Sequence, residues 1–167
     1  MEKFKELVLI SSKYLKNADH MLYMTYPLVK DVKLLITISN NIDKAVKLSI
    51  MAFLRYDWIY KRIVKIPDDF DARLDLFKKI SVNRYGFKLS DIDFAKEIDE
   101  IMVKHRQSPV EFIKNDKFVI SYNTYKLKSI GYEDVKGYVL KAKPFILRLN
   151  NILRNDPLIA SGRGRGN

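Results

Sequence analysis

The chain has 167 residues, of which 47% are hydrophobic and 31% charged, and its formal net charge is +11. This much apolar material is enough for the core of one folded domain and excludes a fully disordered chain. The sequence contains no cysteine, which excludes disulfide bonds, thiolate metal ligands and cysteine catalysis.

The N-terminal part of the sequence predicts two long helices. Apolar residues recur at three- and four-residue steps over residues 4–24, the pattern of an amphipathic helix that Pro27 should end. A second apolar stripe begins after Asp31, whose side chain can cap a helix. We therefore expect one long helix over about residues 31–63.

Two further helices are predicted in the middle of the chain. Asp68-Asp69 is a favourable helix start, because carboxylates accept hydrogen bonds from the free amide groups and complement the helix dipole. Gly86 suits the left-handed position that follows a helix. Ser90-Asp91-Ile92-Asp93 predicts the next helix start, and Lys104-His105-Arg106 places cations at its C-terminal end.

The C-terminal third predicts two more helices. Ser108-Pro109-Val110-Glu111 fits a capping box, which predicts a short fifth helix over residues 109–120. Residues 121–131 partly alternate polar and apolar side chains and fit either a short strand or a loop; because a single strand would lack a partner, we predict a loop. A last helix is predicted over residues 132–153, with a kink at Pro144.

These elements predict an all-α fold, a single-domain bundle of five to six helices over residues 1–153. The remaining residues, 154–167, form a low-complexity Arg/Gly tail that we expect to be disordered. The N-terminal segment carries both charge signs, and the most apolar window is interrupted by polar and charged residues. We therefore expect neither a signal peptide nor a transmembrane helix, and we predict a cytoplasmic protein.

Positive charge is concentrated in the C-terminal third. Residues 104–167 contain 13 Lys/Arg and 5 Asp/Glu, whereas residues 67–103 contain 6 and 9. This distribution favours an anionic partner such as RNA, a ribonucleoprotein or a membrane surface. A lysine-rich surface that only keeps the protein soluble would explain the same composition.

Basic residues alternate with tyrosines in this third of the chain. Lys and Arg neutralise phosphates, and exposed aromatic rings stack on unpaired bases. Tyr122 and Tyr125, flanked by Lys126 and Lys128, are the predicted stacking element, although both rings could instead pack under the loop. The predicted nucleic-acid-binding residues are Arg106, Lys114, Lys117, Tyr122, Tyr125, Lys126, Lys128, Lys136, Lys141, Lys143, Arg163 and Arg165.

The sequence offers little for catalysis. It contains no HExxH, CxxC, GxSxG, Walker or GxGxxG pattern. His20 lies beside the apolar stripe of the first helix, and His105 lies in a basic run, so neither has an evident catalytic partner in sequence. The acidic group around Asp68 fits a solvated helix start better than a metal site. We predict no catalytic residues, no metal and no cofactor.

A first helix followed by the long helix over 31–63, with Asn41-Ile42-Asp43-Lys44-Ala45 in its middle, is similar to the opening of HEPN-type helical bundles. The resemblance covers residues 4–153 at the level of helix order. It implies a small, mostly prokaryotic domain whose family includes many RNases of toxin–antitoxin and defence systems. The Arg-x4–6-His signature of the active members is absent here, so the resemblance implies a non-catalytic binding or scaffold role. The segment 106–112 resembles uncharacterised archaeal proteins.

From these observations we predict a non-enzymatic helical protein that binds RNA or a ribonucleoprotein through its C-terminal third. One alternative is an interaction module that dimerises, or docks an acidic protein, through its long helices. Another is a ribonuclease with an atypical site formed by His105, Arg106 and Glu111. A membrane role is disfavoured, because the amphipathic helix faces are needed for the core.

Overall fold

A computed structural model of the chain describes residues 2–123 and 125–155. The described chain is mostly helical and contains one small antiparallel sheet. Its elements in chain order are α1 (Glu2–His20), a π-helical segment (Met21–Thr25), α2 (Tyr26–Val29), α3 (Lys33–Ile59), α4 (Phe70–Tyr85), α5 (Leu89–Gln107), β1 (Val110–Lys114), β2 (Lys117–Asn123), β3 (Lys126–Ile130) and α6 (Tyr132–Asn155).

The long helix α3 lies at the centre of the fold. Fifteen of its 27 residues are buried. A single apolar stripe along one side of a helix would bury fewer residues, so the helix is covered on several sides. It packs against α1, α4, α5 and α6. The predicted start near Asp31 is confirmed, because the Asp31 carboxylate accepts a hydrogen bond from the backbone N–H of Lys33 at 3.0 Å. At the other end, Lys61 has a left-handed backbone (φ 57°).

The prediction that Pro27 ends the first helix is wrong. The chain passes through the π-helical segment into α2, and the helical run ends at Lys30, which has φ 53° and ψ 29°. Pro27 lies in the first turn of α2. A proline is tolerated there, because the first amides of a helix have no helical carbonyl partner.

The helix signals in the middle of the chain are largely confirmed. The Asp69 carboxylate accepts a hydrogen bond from Ala72 N at 2.9 Å at the start of α4, and Gly86 follows that helix with φ 68°. Helix α5 begins slightly earlier than predicted, at Leu89. The carboxylate that caps it belongs to Asp91, which accepts from Lys88 N at 3.0 Å.

The predicted helix over 109–120 and the predicted loop over 121–131 are both wrong, and the fold is therefore not purely α. These residues form a three-stranded antiparallel sheet in the order β1-β2-β3. Asn115 and Asp116 connect β1 to β2 with φ 52° and 58°. Positive φ at both central residues is typical of the two-residue type I′ turn, whose twist matches that of a hairpin.

The segment that fits a capping box has a different role in this sheet. The Ser108 hydroxyl lies 2.7 Å from Val110 O and 2.8 Å from Ser121 O, so it ties the start of β1 to β2. Pro109 directly precedes β1, where the missing amide hydrogen costs little, because an edge strand needs fewer donors. Further along the chain, Pro144 lies inside α6, whose helical assignment continues without a break.

The predicted tail over 154–167 lies largely outside the described residues, which end with α6 at Asn155. Within the described part of the chain, no helix combines the length and apolar character needed to cross a bilayer.

An aromatic cluster joins α3, α4 and α6. The ring of Phe77 meets Phe53 at 5.5 Å, Phe87 at 5.6 Å and Phe145 at 6.1 Å between centroids. Phe77 is fully buried. The pairs with Phe53 and Phe145 are edge-to-face, an arrangement that adds to the free energy gained by burying the rings.

We expect Phe77→Ala to lower the free energy of unfolding by about 3–5 kcal/mol, because the substitution leaves a cavity among three other rings. Urea unfolding followed by circular dichroism measures this loss. The matched control is Leu140→Ala, whose side chain is exposed on α6, and which should change stability by less than about 0.5 kcal/mol. Equal losses in the two variants would contradict the central place of the cluster.

Candidate nucleic-acid interface

The two faces of the sheet have different surroundings. Phe118, Ile120 and Ile130 belong to the main hydrophobic cluster, on the face that packs against α5 and α3. Because side chains alternate along a strand, their neighbours point to the opposite face. We call that face the outer sheet face and define it by Val110, Phe112, Lys114, Lys117, Val119, Ser121, Leu127 and Ser129.

The outer sheet face has a buried apolar centre that is bordered by exposed apolar side chains. Val119 is only 4% exposed, yet it lies outside the main hydrophobic cluster. In the strand register it stands directly opposite Phe112, which is 39% exposed. Val110 and Leu127 are 56% and 59% exposed at the margins. Apolar side chains gathered on an exposed surface indicate a contact site.

Two lysines border this apolar centre. Lys114 and Lys117 are directly opposite each other across the β1–β2 hairpin. Among the described residues, neither ammonium group lies within salt-bridge distance of a carboxylate. Like charges that face each other across two strands are unfavourable. An anion held between them would remove that repulsion.

The two predicted stacking tyrosines lie in different environments. Tyr125 follows β2 and is 96% exposed, so its ring is accessible. Tyr122 is partly buried against the core, and the Lys104 ammonium lies 4.5 Å from its ring centroid. The register shift between Ser121 and Asn123 marks an irregularity at this point of β2. Only Tyr125 is therefore positioned as a free aromatic platform.

The remaining predicted residues do not form one group. Arg106 is exposed in the last turn of α5, and Lys126 is exposed at the start of β3. Lys128 is opposite Ile120 and so lies on the inner sheet face. Arg163 and Arg165 lie outside the described residues.

The three predicted lysines of α6 are separate from the sheet. Lys141 approaches the ring of Phe94 on α5 at 5.9 Å. Lys143 forms an ion pair with Asp19 of α1 and lies over the ring of Tyr23. Lys136 is half-buried near the start of the helix. Lys114 and Lys117 thus face each other at the β1–β2 turn, Tyr125 and Lys126 lie at the opposite end of β2, and the α6 lysines lie on another element.

A histidine–carboxylate pair lies beneath the sheet. His105 Nδ1 of α5 is 2.6 Å from Glu111 Oε1 of β1, and the two side chains are 31% and 22% exposed. The imidazole also meets the ring of Phe118 edge-on at 6.1 Å. Within the described residues, Nε2 of His105 has no hydrogen-bond partner. A carboxylate bonded to one imidazole nitrogen fixes the orientation of the other.

A buried charge cluster positions the helix that carries this pair. Lys47 of α3 donates to Asp43 Oδ2 at 2.9 Å and to Asp99 Oδ1 of α5 at 2.6 Å. The Asp43 side chain is only 4% exposed. Burial raises the pKa of the Asp43 carboxyl above its ordinary value, and the positive charges of Lys47 and Arg106 oppose that rise.

The position of the sheet could have been found only in part from the sequence. Phe112, Val110 and Leu127 were not predicted site residues, because a helix over 109–120 would have turned Phe112 inward. A signal for the sheet was present at Asn115-Asp116. These two residues are of types common in tight turns, and they lie between two segments whose polar and apolar side chains partly alternate.

We expect the stabilising effect of Asp43 to depend on pH. A carboxyl whose folded pKa is raised binds its proton more tightly in the native state than in the unfolded chain, where the ordinary value is 3.8. The free energy of unfolding of the wild type, relative to Asp43→Asn, should therefore rise as the pH falls from neutrality through the folded pKa towards 3.8.

Urea unfolding at a series of pH values measures this difference. The matched control is Asp93→Asn, which makes the same substitution at an exposed position. A wild-type advantage over Asp43→Asn that stays constant with pH would contradict the assignment.

No family model, curated protein or solved structure matches this chain. The similarity to HEPN-type bundles therefore stays a prediction.

Proposed function

We propose that this protein is a non-enzymatic RNA-binding protein that contacts single-stranded RNA through the outer sheet face and Tyr125. The observation that carries the proposal is the exposed Phe112 beside the unpaired Lys114–Lys117 couple. Aromatic rings on the open face of an antiparallel sheet are a common platform for unpaired bases.

The side chains of this face match the two parts of a nucleotide. A base that stacks on an exposed aromatic ring contributes about 1–3 kcal/mol, and Phe112 and Tyr125 are both accessible. The ammonium groups of Lys114 and Lys117, which face each other on the turn side of Phe112, can neutralise a phosphate next to a base stacked on that ring. Duplex RNA hides its base faces, so the apolar part of this surface favours single strands.

The local charge supports an anionic ligand. Residues 104–130 contain six Lys/Arg and two Asp/Glu. One of the two carboxylates, Glu111, is bonded to His105 on the inner side of the sheet and does not face the proposed ligand. The excess of positive charge attracts polyanions over a distance of about 10 Å at moderate salt.

A second candidate function is favoured by the 2.6 Å contact between His105 and Glu111. The sequence predicts an atypical ribonuclease site from these residues and Arg106, and the fold brings His105 and Glu111 into contact. In this function Glu111 orients the imidazole, and Nε2 of His105 accepts the proton of a ribose 2′-hydroxyl as that oxygen attacks the adjacent phosphorus. The 5′-oxygen then leaves with a proton from a water molecule.

Fluorescence anisotropy with a single-stranded and a duplex RNA oligonucleotide over a range of salt concentrations tests RNA binding. We expect binding to prefer the single strand and to weaken steeply as salt rises. Phe112→Ala should weaken binding by about 5- to 150-fold without changing the salt dependence, because it removes stacking and no charge.

Lys114→Gln and Lys117→Gln should each lower the slope of log affinity against log salt by about 0.7 to 1. The control is Lys79→Gln, an exposed lysine on α4. An affinity that responds equally to all three lysine substitutions would show only non-specific attraction, and no binding at low salt would refute the proposal.

Cleavage of a labelled RNA by the purified protein tests the second function. His105→Ala should abolish any cleavage, and Glu111→Gln should reduce it strongly, because the amide no longer orients the imidazole as an anion does. The exposed His20 on α1 provides the control variant His20→Ala, which should cleave as the wild type does. Cleavage that survives His105→Ala would exclude this site.

A further inference from the structure

The two edges of the sheet differ in their protection against other strands. Unpaired backbone groups on an edge strand can bond to a further strand, and proteins commonly block them with lysines and bulges. The β3 edge has both, because Lys126 and Lys128 lie on it and its pairing with β2 is irregular between Ser121 and Asn123. This edge is therefore poorly suited to pairing.

The β1 edge lacks most of this protection. Val110, Phe112 and Ile113 are 56%, 39% and 49% exposed, so three of its five residues present apolar side chains. The β1–β2 register is regular along its whole length. Among the described elements, β2 is the one with which β1 makes extensive contact. The free edge of β1 is thus open, regular and apolar.

The charged residues of β1 do not prevent a further strand from pairing with this edge. Glu111 is bonded to His105 on the inner side of the sheet. Lys114 is the last residue of the strand, next to the β1–β2 turn. Pro109 lies just before the strand, so every residue within β1 retains its backbone N–H.

We propose that β1 pairs with β1 of a second copy of this chain, antiparallel across a twofold axis, to form one continuous six-stranded sheet. This inference does not depend on RNA binding. A twofold contact uses the same residues on both copies, so its sequence must be compatible with itself.

The five residues of β1 meet that condition when the axis passes through the middle of the strand. Phe112 then faces Phe112 of the second copy, which forms an aromatic cross-strand pair. Glu111 faces Ile113, and Val110 faces Lys114. No carboxylate faces a carboxylate, and the two Lys114 ammonium groups lie at opposite ends of the paired strands. The charges of β1 therefore do not oppose pairing with a second β1 in this register, in which each charged residue faces an apolar one.

The absence of cysteine from the sequence allows a direct test of this register. Residues that face each other across paired strands lie within the distance a disulfide can span, whereas Cα atoms more than 7 Å apart do not. Under mild oxidation of the full-length protein, Phe112→Cys should give a disulfide-linked dimer. Lys114→Cys should not, because the two copies of that residue would be about 13 Å apart along the strands.

Light scattering on the protein without RNA, over a range of concentrations, tests association of the native surface. We expect a dimer for the wild type. Ile113→Glu should weaken it by at least tenfold, because the new carboxylate would face Glu111 of the second copy, whereas Ile113→Lys should retain it. Leu140→Glu, an equally exposed apolar position on α6, is the control and should stay dimeric.

Circular dichroism establishes that each variant is folded before its association is measured. A wild type that remains monomeric at several hundred micromolar overturns the inference, as does a cross-link that forms at Lys114→Cys as readily as at Phe112→Cys. Equal weakening by Ile113→Glu and Ile113→Lys would show that the contact lacks the proposed register. None of these results changes the expected binding of RNA to a monomer.

Discussion

The rest of the structure depends on the burial of α3. More than half of its residues are buried, and burial on several sides requires α1, α4, α5 and α6 to surround it. Once these helices cover α3, little apolar surface remains for the sheet, which buries one face against α5 and α3. The outer sheet face stays uncovered because the bundle supplies no further described helix to pack on it. The exposed position of Phe112 therefore follows from the way the core is filled.

The helices could be predicted because their signals are local. The stripe of α3, the capping carboxylate of Asp69 and the left-handed Gly86 each act within one or two helical turns. The sheet could not be predicted in the same way, because Ser108-Pro109-Val110-Glu111 satisfies a helix start equally well. What decides between the two is pairing between β1 and β2, which no short segment contains by itself. The turn residues Asn115 and Asp116 were the one local sign of that pairing.

The candidate interface was predictable in its charge and not in its shape. Composition showed that the C-terminal third is basic, and Lys114 and Lys117 do face each other on the outer sheet face, whereas Lys126 lies at the far end of the sheet. Composition does not show where in the fold a side chain lies. It therefore gave equal weight to Lys143, which forms an ion pair with Asp19 of α1. The apolar half of the surface depends on which way each strand faces, and strand register alone determines that.

Strand β1 joins the two proposed surfaces. RNA would use the side chains of Phe112 and Lys114 on one face, the second copy would use mainly the backbone groups of the free edge, and the Phe112 ring takes part in both contacts. Pairing of two β1 strands extends the sheet sideways without covering the outer sheet face, so the Phe112 rings of both copies remain on one surface. A single strand of RNA that crosses that surface would then meet two sets of stacking rings and lysines, one from each copy. Dimerisation and RNA binding are thus compatible, and a dimer would bind a long single strand more tightly than a monomer, because its second site acts at a high effective concentration.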